Sequence, residues 1–400
     1  MAMFWKSEPK VSTDDLKIEQ LLVRSVAEIL PSAESLRSLL KSGRQLRVKL
    51  GIDPTSPNLH IGRAVTILKL KDFQDLGHKI VFIIGDATGV VGDTSDKESE
   101  RPMLTAEQVQ TNLTSYVEQM HKLLRPELME VRRNSEWLLK LNYADIGEQA
   151  DQFSVADFIA RENIKRRLDA GKRVSLREVL YPLMQGYDSV AVKADVELGG
   201  TDQKFNLLAG RSLQGKFGQP PQNILMTEII PGTDGRKMSS SWGNTINLND
   251  APNDMFGKVM SIPDTIMMHY FTHTTRLPIE RTQELLRLEN PRDAKLELAS
   301  EIVSMYHGID ASREARRNFE NTFSKGEIPD HVEVIHKKGL LTVLDVLVQN
   351  KVVSSNSELR RLVEQGAVTN LTLKKKILNF NEAAEEGIYR IGKHRFVKII

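Results

Sequence analysis

Residues 46–84 read LRVKLGIDPTSPNLHIGRAVTILKLKDFQDLGHKIVFII and contain two short apolar runs on either side of a longer segment. The runs at 46–52 and 79–84 are typical of strands, and the second is continuous enough for a strand covered on both faces. Between them, residues 61–76 have the length of a helix, and Gly77 is placed to end it. A strand, a helix and a strand within about 40 residues predict a βαβ unit and hence an open α/β sheet.

The segments around this unit extend the prediction. Residues 12–42 are predicted to be helical, because Leu21, Leu22, Val26, Ile29 and Leu30 recur at helical spacing.

Farther along, helices are predicted to dominate residues 105–187, and strands are predicted to return at 195–198 and 224–230. After a loop at 232–244, the chain is predicted to be mainly helical over 251–325, and residues 328–339 have the composition of a linker. The first half therefore reads as an α/β sheet with a large helical insertion.

Composition places the chain in a broad class. With 400 residues, two or three domains are expected, and 40% hydrophobic and 27% charged residues are typical of a soluble globular protein. The chain has no cysteine, which excludes disulfides, thiolate nucleophiles and cysteine-ligated zinc. No signal peptide and no apolar run long enough to span a bilayer is visible, so we expect a cytoplasmic protein without membrane segments.

Charge is concentrated at the C-terminal end. The whole chain has a formal net charge of +2, whereas residues 351–400 contain ten Lys and Arg against five Asp and Glu. These basic residues lie beside Tyr389, Phe396 and short apolar strands, a combination typical of a small RNA-binding module. A solvated basic surface is the alternative that this segment alone leaves open.

Two distant segments carry the chemistry. Residues 59–63 (LHIGR) follow the first predicted strand at the start of the predicted helix, and residues 237–241 (KMSSS) lie in a glycine-flanked loop. A helix N-terminus attracts phosphate, His60 there can donate a hydrogen bond, and Gly62 leaves room for a purine against the backbone. Lys237 on a loop can close over further phosphate groups. Together they predict catalysis by positioning and positive charge, without a covalent intermediate.

A third segment predicts a polar pocket. Tyr181, Gln185 and Asp188 are spaced to share one face of a helix. Residues 199–203 (GGTDQ) follow a predicted strand, where paired glycines allow close backbone approach and Asp202 could accept hydrogen bonds from ribose hydroxyls. A polar surface stripe is the alternative for the helix.

These segments resemble the HIGH and KMSKS signatures of class I aminoacyl-tRNA synthetases, and the chain resembles the bacterial tyrosyl-tRNA synthetase family over nearly its whole length. The likeness includes residues 51–55, 92–93, 181–188, 199–203, 290–295 and 306–308. Residues 357–362 and 392–396 resemble an RNA-binding module that this family shares with a ribosomal protein.

The resemblance implies a role for each matching residue. It implies His60, Lys237 and Thr55 as catalytic residues, Lys97 and Arg101 as a pyrophosphate-facing pair, and no resident metal. Tyrosine would be bound by Tyr181, Gln185 and Asp93 at its ammonium, by Asp188 at its phenolic hydroxyl and by Gln203 at its carboxylate. ATP would be bound by Gly51, Asp53, Gly62, Gly200, Asp202, Lys237, Met238, Ser239 and Ser240. Transfer RNA would be bound by Arg360, Arg361, Lys393 and Arg395.

The resemblance also implies an architecture and partners. A Rossmann-type parallel-sheet catalytic domain with a helical insertion is expected over 1–232, followed by the KMSKS-like loop at 233–247. An all-helical anticodon-binding domain is expected over 248–327, a linker over 328–339 and a small α+β RNA-binding module over 340–400. The expected activity is that of a tyrosine–tRNA ligase, with ATP as co-substrate together with Mg²⁺. The expected partners are tRNA(Tyr) and L-tyrosine, and the expected assembly is a homodimer.

Three positions depart from the family pattern. The second histidine of HIGH is Arg63, the second lysine of KMSKS is Ser240, and Lys49 stands where many members have a pocket tyrosine. A lysine there could still donate to the phenolic oxygen.

Three other classes of protein remain as alternatives. They are a tryptophan-specific sibling, a non-catalytic RNA-binding protein on a synthetase scaffold, and a nucleotidyltransferase. Asp188, the surviving signature residues and the KMSKS-like loop, respectively, argue against them.

Overall fold

The structure is a computed structural model that describes residues 11–54, 57–93, 106–324, 332–337, 339, 341–350, 352–353, 355–392 and 395–400. The chain divides into two compact units, Met1–Ile309 and Asp310–Ile400. Each unit has its own sheet.

A six-stranded sheet forms the centre of the first unit. In chain order its strands are β1 (Val26–Leu30), β2 (Arg47–Ile52), β3 (Lys79–Ile84), β4 (Met129–Arg133), β5 (Val196–Gly200) and β6 (Asn223–Thr227). Their spatial order is β1-β6-β5-β2-β3-β4, and all neighbours are parallel except β1 and β6. The predicted Rossmann-type parallel sheet is confirmed, with one antiparallel strand at its edge.

Helices surround this sheet and continue beyond it. They are α1 (Asp15–Val23), α2 (Ala33–Lys41), α3 (Ile61–Asp75), α4 (Asp86–Val91), α5 (Ala106–His121), α6 (Ser135–Leu138), α7 (Tyr143–Ala150), α8 (Val155–Ile159), α9 (Glu162–Asp169), α10 (Leu176–Val192), α11 (Lys204–Lys216), α12 (Pro252–Met260), α13 (Met267–Thr274), α14 (Ile279–Leu286) and α15 (Pro291–His307). Short 3₁₀ turns occupy Pro126–Leu128, Thr201–Gln203, Ser240–Trp242 and Asp264–Ile266. The helical character predicted over 251–325 is thus confirmed for the described residues.

The unit β2–α3–β3 matches the bounds that the sequence predicts to within one residue. Gly77, with φ of +90°, follows α3 in the left-handed region where glycine is favoured. The order of the sheet reverses between β2 and β5, because the chain builds outward from β2 through β3 to β4 and later returns to β5 on the other side. In such sheets ligands bind outside the carboxyl ends of the strands at this reversal.

The prediction of one helical stretch over residues 12–42 is wrong. Residues Val26–Leu30 form β1, which lies between α1 and α2 in the chain and pairs antiparallel with β6. Ser25, with φ of +58°, turns the chain out of α1. Apolar residues spaced for a helix also fit a strand, and pairing with a segment about 200 residues away decided between the two.

The strand β4 was also missed within a segment predicted to be mainly helical. It pairs with β3 from Ile80↔Met129 to Ile84↔Arg133 and forms the other edge of the sheet. Three of its five residues are charged, as is common for edge strands, and this composition concealed it.

Helices α10 and α11 pack closely against each other, which fixes the position of the predicted pocket helix. A Cβ on Gly186 would lie only 3.0 Å from the backbone carbon of Ala209. Larger side chains at residue 186 would push α10 away from α11.

The second unit is a small α+β module preceded by a helix. Its elements are α16 (Ile309–Ser324), β7 (Glu333–Ile335), α17 (Val343–Gln349), α18 (Asn356–Glu364), β8 (Val368–Asn370), β9 (Lys375–Lys376), β10 (Gly387–Ile391) and β11 (Arg395–Ile399). The sheet order is β7-β11-β10-β8-β9, and its core contains Leu347, Leu359, Tyr389 and Val397. The predicted small α+β module is confirmed.

Candidate active site

The signature segments meet at the carboxyl ends of β2 and β5. His60 is the N-cap of α3, and the KMSSS loop returns beside it. The amide of Ile61 donates to the carbonyl of Ile246 over 2.9 Å, and the amide of Leu248 donates to the carbonyl of Leu59 over 2.9 Å. His60 and Asn247 form the bridge between these two bonds, so backbone hydrogen bonds join segments nearly 190 residues apart.

His60 is poised as a hydrogen-bond donor. Its Nδ1 atom accepts the amide of Arg63 over 3.3 Å, so the proton of the neutral ring must lie on Nε2. Burial, helped by the charges of Arg63 and Lys237, lowers the pKa of His60 to about 3. The imidazole is therefore neutral at physiological pH and can offer Nε2–H to a phosphate oxygen.

Gly62 is needed for a reason beyond space for a purine. A Cβ at this position would lie 2.9 Å from His60 Nδ1 and 3.3 Å from the sulfur of Met238. Any side chain would therefore displace the imidazole ring or the loop methionine.

Asn244, which sequence reasoning missed, braces the loop that carries Lys237. Its Oδ1 atom accepts the amide of Ser239 over 2.8 Å, and its Nδ2 atom donates to Asp234 Oδ1 over 2.8 Å and to the carbonyl of Lys237 over 3.1 Å. Ser240 begins the short 3₁₀ turn that follows. An asparagine directly after Gly243 at the end of the loop was the available signal, since its side chain can satisfy both donors and acceptors of a loop.

Lys237 reaches across to the strand that carries the paired glycines. Its Nζ atom lies 3.1 Å from Asp202 Oδ2. Asp202 follows Gly200, where a Cβ would lie 2.6 Å from Asp202 Oδ1. The predicted phosphate-binding lysine and the predicted ribose-binding carboxylate are thus direct neighbours.

The pocket helix α10 presents its predicted residues to the same place. Tyr181 is buried, and its hydroxyl donates to Asp53 Oδ2 over 2.8 Å. Burial, followed by the charge of Asp53, raises the pKa of Tyr181 well above its usual value, so this hydroxyl stays a donor. The other oxygen of Asp53 accepts the hydroxyl of Thr88 over 2.7 Å.

Gly85 leaves the space that Asp53 occupies. A Cβ at residue 85 would overlap both Asp53 Oδ1 and Thr88 Oγ1. We expect Gly85→Ala to destabilise the fold by about 1–3 kcal/mol, the usual range for overpacking, and to weaken ATP binding by displacing Asp53. Thermal denaturation and ATP titration check this prediction.

Gly257→Ala in α12 is the matched control, because a Cβ there meets no atom within 4 Å. Equal effects of the two substitutions on ATP affinity would contradict the role given to Gly85.

Asp188 has two donors that the sequence did not reveal. Trp137 Nε1 donates to Asp188 Oδ1 over 2.8 Å, and Asn134 Nδ2 lies 3.4 Å from Asp188 Oδ2. Burial raises the pKa of Asp188 to about 7, although Lys49, Trp137 and Asn134 act in the opposite direction. The pKa of this carboxyl group therefore lies near neutral pH in a buried, donor-rich site.

Asp93 and Gln203 are joined by a 2.8 Å hydrogen bond from Gln203 Nε2 to Asp93 Oδ2. The side-chain oxygen of Gln203, Oε1, accepts a hydrogen bond from Asn206 Nδ2 over 3.0 Å. These contacts bring the loop after α4 next to the 3₁₀ turn after β5, as the predicted binding roles require.

Lys49 does not have the environment that donation to a phenol needs. Its ammonium group lies 2.8 Å from Glu197 Oε1, 2.8 Å from Ser189 Oγ and 2.9 Å from the carbonyl of Gln185. An ammonium group has three N–H donors, and these three acceptors take all of them. The suggestion that Lys49 could donate to a phenolic oxygen is therefore wrong.

Arg63 contacts α5 through its guanidinium group. Nη1 donates to the hydroxyl of the buried Tyr116 over 2.8 Å. The position of the second HIGH histidine thus carries a cation hydrogen-bonded to protein.

Some predicted residues cannot be placed, and others can be placed only by exposure. Thr55, Lys97, Arg101 and Lys393 lie outside the described residues. Gly51 is exposed at the end of β2.

In the second unit, Arg360 and Arg361 are exposed on α18, and Arg360 stacks over Phe380 at 4.9 Å. Arg395 donates to Glu358 Oε1 over 2.7 Å and to the carbonyl of Val352 over 2.7 Å, so its charge is partly neutralised. Tyr389 is buried in the core and cannot stack on a base.

Two further observations concern metals and membranes. Among the described residues, no group of three or more His, Asp and Glu side chains is arranged to hold a metal ion. None of the helices in the same part of the chain is long and apolar enough to cross a membrane.

Comparison with known proteins identifies the class. The family described as tRNA synthetases class I (W and Y) matches residues 41–324. Solved tyrosyl-tRNA synthetases share the fold: that of Archaeoglobus fulgidus, complexed with L-tyrosine, has a TM-score of 0.60 at 22% identity over 76% of this chain and 100% of its own. The C-terminally truncated mitochondrial enzyme of Aspergillus nidulans has a TM-score of 0.64 at 21% identity over 77% and 94%. The chain is a class I aminoacyl-tRNA synthetase.

Curated relatives identify the family within that class. The tyrosine–tRNA ligase of Carboxydothermus hydrogenoformans is 45% identical over 97% of this chain and 98% of its own length. That of Thermotoga maritima is 43% identical over 95% and 96%. This chain belongs to the tyrosine–tRNA ligase family.

Proposed function

We infer that the protein activates L-tyrosine with ATP to tyrosyl-adenylate and pyrophosphate, and then transfers tyrosine to the 3′-terminal adenosine of tRNA(Tyr). The observation that carries this inference is the backbone pairing that holds the His60 segment against the Lys237 loop, beside α10 with Asp188. Phosphate chemistry and a hydroxyl-recognising pocket lie in one place, and the family performs this reaction.

Activation joins the tyrosine carboxylate to the α-phosphorus of ATP and breaks the bond to pyrophosphate. Negative charge develops on the phosphate oxygens in this step, and fixed hydrogen-bond donors in the site stabilise it. His60 offers Nε2–H, the N-terminus of α3 offers the positive end of the helix dipole, and Lys237 leaves Asp202 to reach the outer phosphates. Mg²⁺ is proposed to enter with ATP, since its usual ligands in such sites include substrate phosphates.

Tyrosine is proposed to bind along α10. Asp188 accepts the phenolic hydroxyl, while Tyr181, Gln185 and Asp93 hold the ammonium group. Gln203, beside Asp93, faces the tyrosine carboxylate, and Asp202 accepts ribose hydroxyls.

The second unit is proposed to bind transfer RNA. Alternation along β10 and β11 buries Tyr389, Ile391, Val397 and Ile399, so Arg390, Phe396 and Lys398 share the opposite face. These three residues combine positive charge with an aromatic ring, as RNA-binding surfaces do. Arg360 and Arg361 are exposed on α18, which packs against the buried face of the same sheet, and they are proposed as a second basic contact. Lys393 and Arg395 remain predicted to contact transfer RNA. The limits of 248–327 for the anticodon-binding domain and 340–400 for the RNA-binding module also remain predictions.

A homodimer is proposed through the helical insertion. Exposed large apolar side chains are denser between residues 139 and 180 than in any other described segment of similar length; they are Leu139, Tyr143, Val155, Ile159, Leu168, Leu176 and Leu180. Exposed apolar side chains concentrated in one segment of the chain favour an interface in that segment. A cytoplasmic location is proposed because the reaction needs transfer RNA and ATP.

We expect Tyr143→Asp to dissociate the dimer, because Tyr143 is 94% exposed in the single chain and a charge would be buried in the interface. Light scattering after size exclusion measures the mass, and a fall to half the wild-type mass is expected. Leu16→Asp, at a residue 77% exposed on α1, is the matched control and should leave the mass unchanged. A wild-type monomer, or dissociation by Leu16→Asp alone, would exclude this interface.

The reaction itself is tested by exchange of labelled pyrophosphate into ATP, measured with each of the twenty amino acids. Exchange with tyrosine alone supports the proposal. Exchange with tryptophan would preserve the mechanism and overturn the assignment of Asp188. Absence of exchange in a folded protein that binds transfer RNA would favour a non-catalytic role.

A further inference from the structure

A buried ion pair lies directly behind the proposed tyrosine site. Lys49 of β2 and Glu197 of β5 are register partners on neighbouring parallel strands, and their charged atoms are 2.8 Å apart. Both side chains are almost completely inaccessible to solvent, at 0% and 1% exposure. Burying two charges is costly unless their remaining donors and acceptors are satisfied, so the surroundings of this pair require an explanation.

The carboxylate of Glu197 is surrounded by donors. Its Oε1 atom accepts Lys49 Nζ and, over 3.2 Å, Gln185 Nε2. Its Oε2 atom accepts the hydroxyl of Ser189 over 3.0 Å and the side-chain amide of Gln222. Four donors from three parts of the chain, namely β2, α10 and the residue before β6, thus converge on one carboxylate.

The packing leaves this network no room to rearrange. A Cβ on Gly210 would lie 2.6 Å from Gln222 Nε2, 2.8 Å from Ser189 Oγ and 3.2 Å from Glu197 Oε2. Helix α11 therefore packs directly against the network, and only glycine fits at residue 210. This close packing keeps Glu197 in place.

The contact between Glu197 and Gln185 determines which end of the Gln185 amide faces the carboxylate. A carboxylate can only accept hydrogen bonds, so the NH₂ group of Gln185 must face it. The carbonyl oxygen of Gln185 is then the end of the amide that is offered to a ligand. Lys49 adds a second constraint, because it binds the main-chain carbonyl of the same residue over 2.9 Å.

We propose that the Lys49–Glu197 pair is a positioning device for the amino-acid site, which orients Gln185 so that its carbonyl oxygen receives the α-ammonium group of the substrate. This inference rests on the proposed function, in which Gln185 contacts that group. An ammonium group has only donors, so an amide turned the other way would oppose it with N–H groups. A carboxylate holds the amide in one orientation, whereas a neutral glutamine at residue 197 could accept either orientation.

The ligands for a test differ only in the groups attached to the phenol side chain. Tyrosine carries ammonium and carboxylate, tyramine carries the ammonium group alone, and 3-(4-hydroxyphenyl)propanoate carries the carboxylate alone. Dissociation constants from isothermal titration calorimetry are measured for the wild type, for Glu197→Gln and for Lys49→Met/Glu197→Gln. The double variant removes both buried charges with little change in volume, a replacement that is often tolerated, and thermal denaturation confirms folding.

We expect tyrosine and tyramine to lose about tenfold to a hundredfold in affinity in both variants, the range for a hydrogen bond to a charged group. The propanoate, which has no ammonium group, should bind within about twofold of its wild-type affinity. This selective loss separates an effect through Gln185 from a general disturbance of the pocket.

A matched control comes from a second buried ion pair in the same unit, Arg167–Glu178, whose closest atoms are 2.6 Å apart. Glu178 lies on α10, as Gln185 does, so Arg167→Met/Glu178→Gln reports the effect of removing a buried pair from that helix without touching Glu197. It should change the affinities of all three ligands by the same factor.

Equal losses for the three ligands in the Glu197 variants would overturn the inference. Gln185→Leu distinguishes this failure from a failure of the proposed function. If Gln185→Leu selectively weakens the two ammonium ligands while the Glu197 variants do not, the positioning role is wrong and the site assignment stands. If Gln185→Leu shows no selectivity either, both the positioning role and the ammonium contact of Gln185 are wrong.

Discussion

Lys237→Ala is expected to slow tyrosyl-adenylate formation by about a hundredfold to a thousandfold, the range for loss of a preorganised charge contact in a transition state. Tyrosine affinity should change by less than about twofold, because the ammonium group of Lys237 lies beside Asp202, the predicted ribose ligand. A contact made chiefly in the transition state lowers the rate without lowering ground-state binding. Single-turnover adenylate formation and equilibrium binding of tyrosine provide the two measurements.

Arg236→Ala is the control for this experiment. Arg236 is the preceding residue and is also a cation, but its guanidinium pairs with Asp234 and stacks over Trp242 at 4.8 Å. We expect it to reduce the rate far less than Lys237→Ala. Equal losses in rate and in tyrosine affinity for Lys237→Ala would remove Lys237 from the transition state.

Asp188→Asn is expected to reduce the preference for tyrosine over phenylalanine by about a hundredfold or more. A buried group that pairs with a hydroxyl rejects the analogue without it, because the group is then left unpaired, and tyrosine-activating synthetases are the standard example of this rule. The ratio of kcat/KM values for the two amino acids in pyrophosphate exchange measures the effect. An unchanged ratio would mean that another residue recognises the hydroxyl.

The ionisation of Asp188 predicts a second difference between the wild type and Asp188→Asn, namely how the preference for tyrosine depends on pH. Trp137 and Asn134 already donate to its oxygens, so the ionised form is the one suited to a third donor, the phenol. With a pKa of about 7, the wild-type preference for tyrosine should rise between pH 6 and 8. Asp188→Asn should lack this rise.

The same pKa makes a prediction about stability, with the opposite sign from the usual aspartate. The folded-state pKa lies above that of the unfolded chain, so the native state binds more protons between about pH 4 and 7. Asp188 therefore lowers the free energy of unfolding as the pH rises through that window. Asp188→Asn should remove this contribution and unfold at a higher temperature than the wild type at pH 8.

Local patterns in the sequence were sufficient for the centre of the fold. The βαβ unit from β2 to β3 was predicted because an apolar run, a turn and a helix with a glycine stop occur in a row. The face of α10 was predicted for the same reason, since the spacing of Tyr181, Gln185 and Asp188 is a property of the helix alone.

Features that depend on distant pairing were not predictable in this way. Strand β1 was missed because its partner β6 lies about 200 residues away, and a local spacing fits both kinds of element. The donors to Asp188 come from Asn134 and Trp137, about 50 residues earlier, with no pattern that links them to α10. Likewise, Lys49 could be recognised as unusual, but its partner Glu197 was visible only in the register of β2 and β5.

The backbone bridge between His60 and Asn247 fixes one side of the phosphate site. Residues 246–248 are hydrogen-bonded to the start of α3, so the C-terminal end of the loop that carries Lys237 is anchored beside His60. We therefore expect a loop movement during the proposed reaction to change the distance from Lys237 to the phosphates and to leave the imidazole in place. A substitution in the loop before Asn244 should then alter the release of pyrophosphate without changing the position of His60.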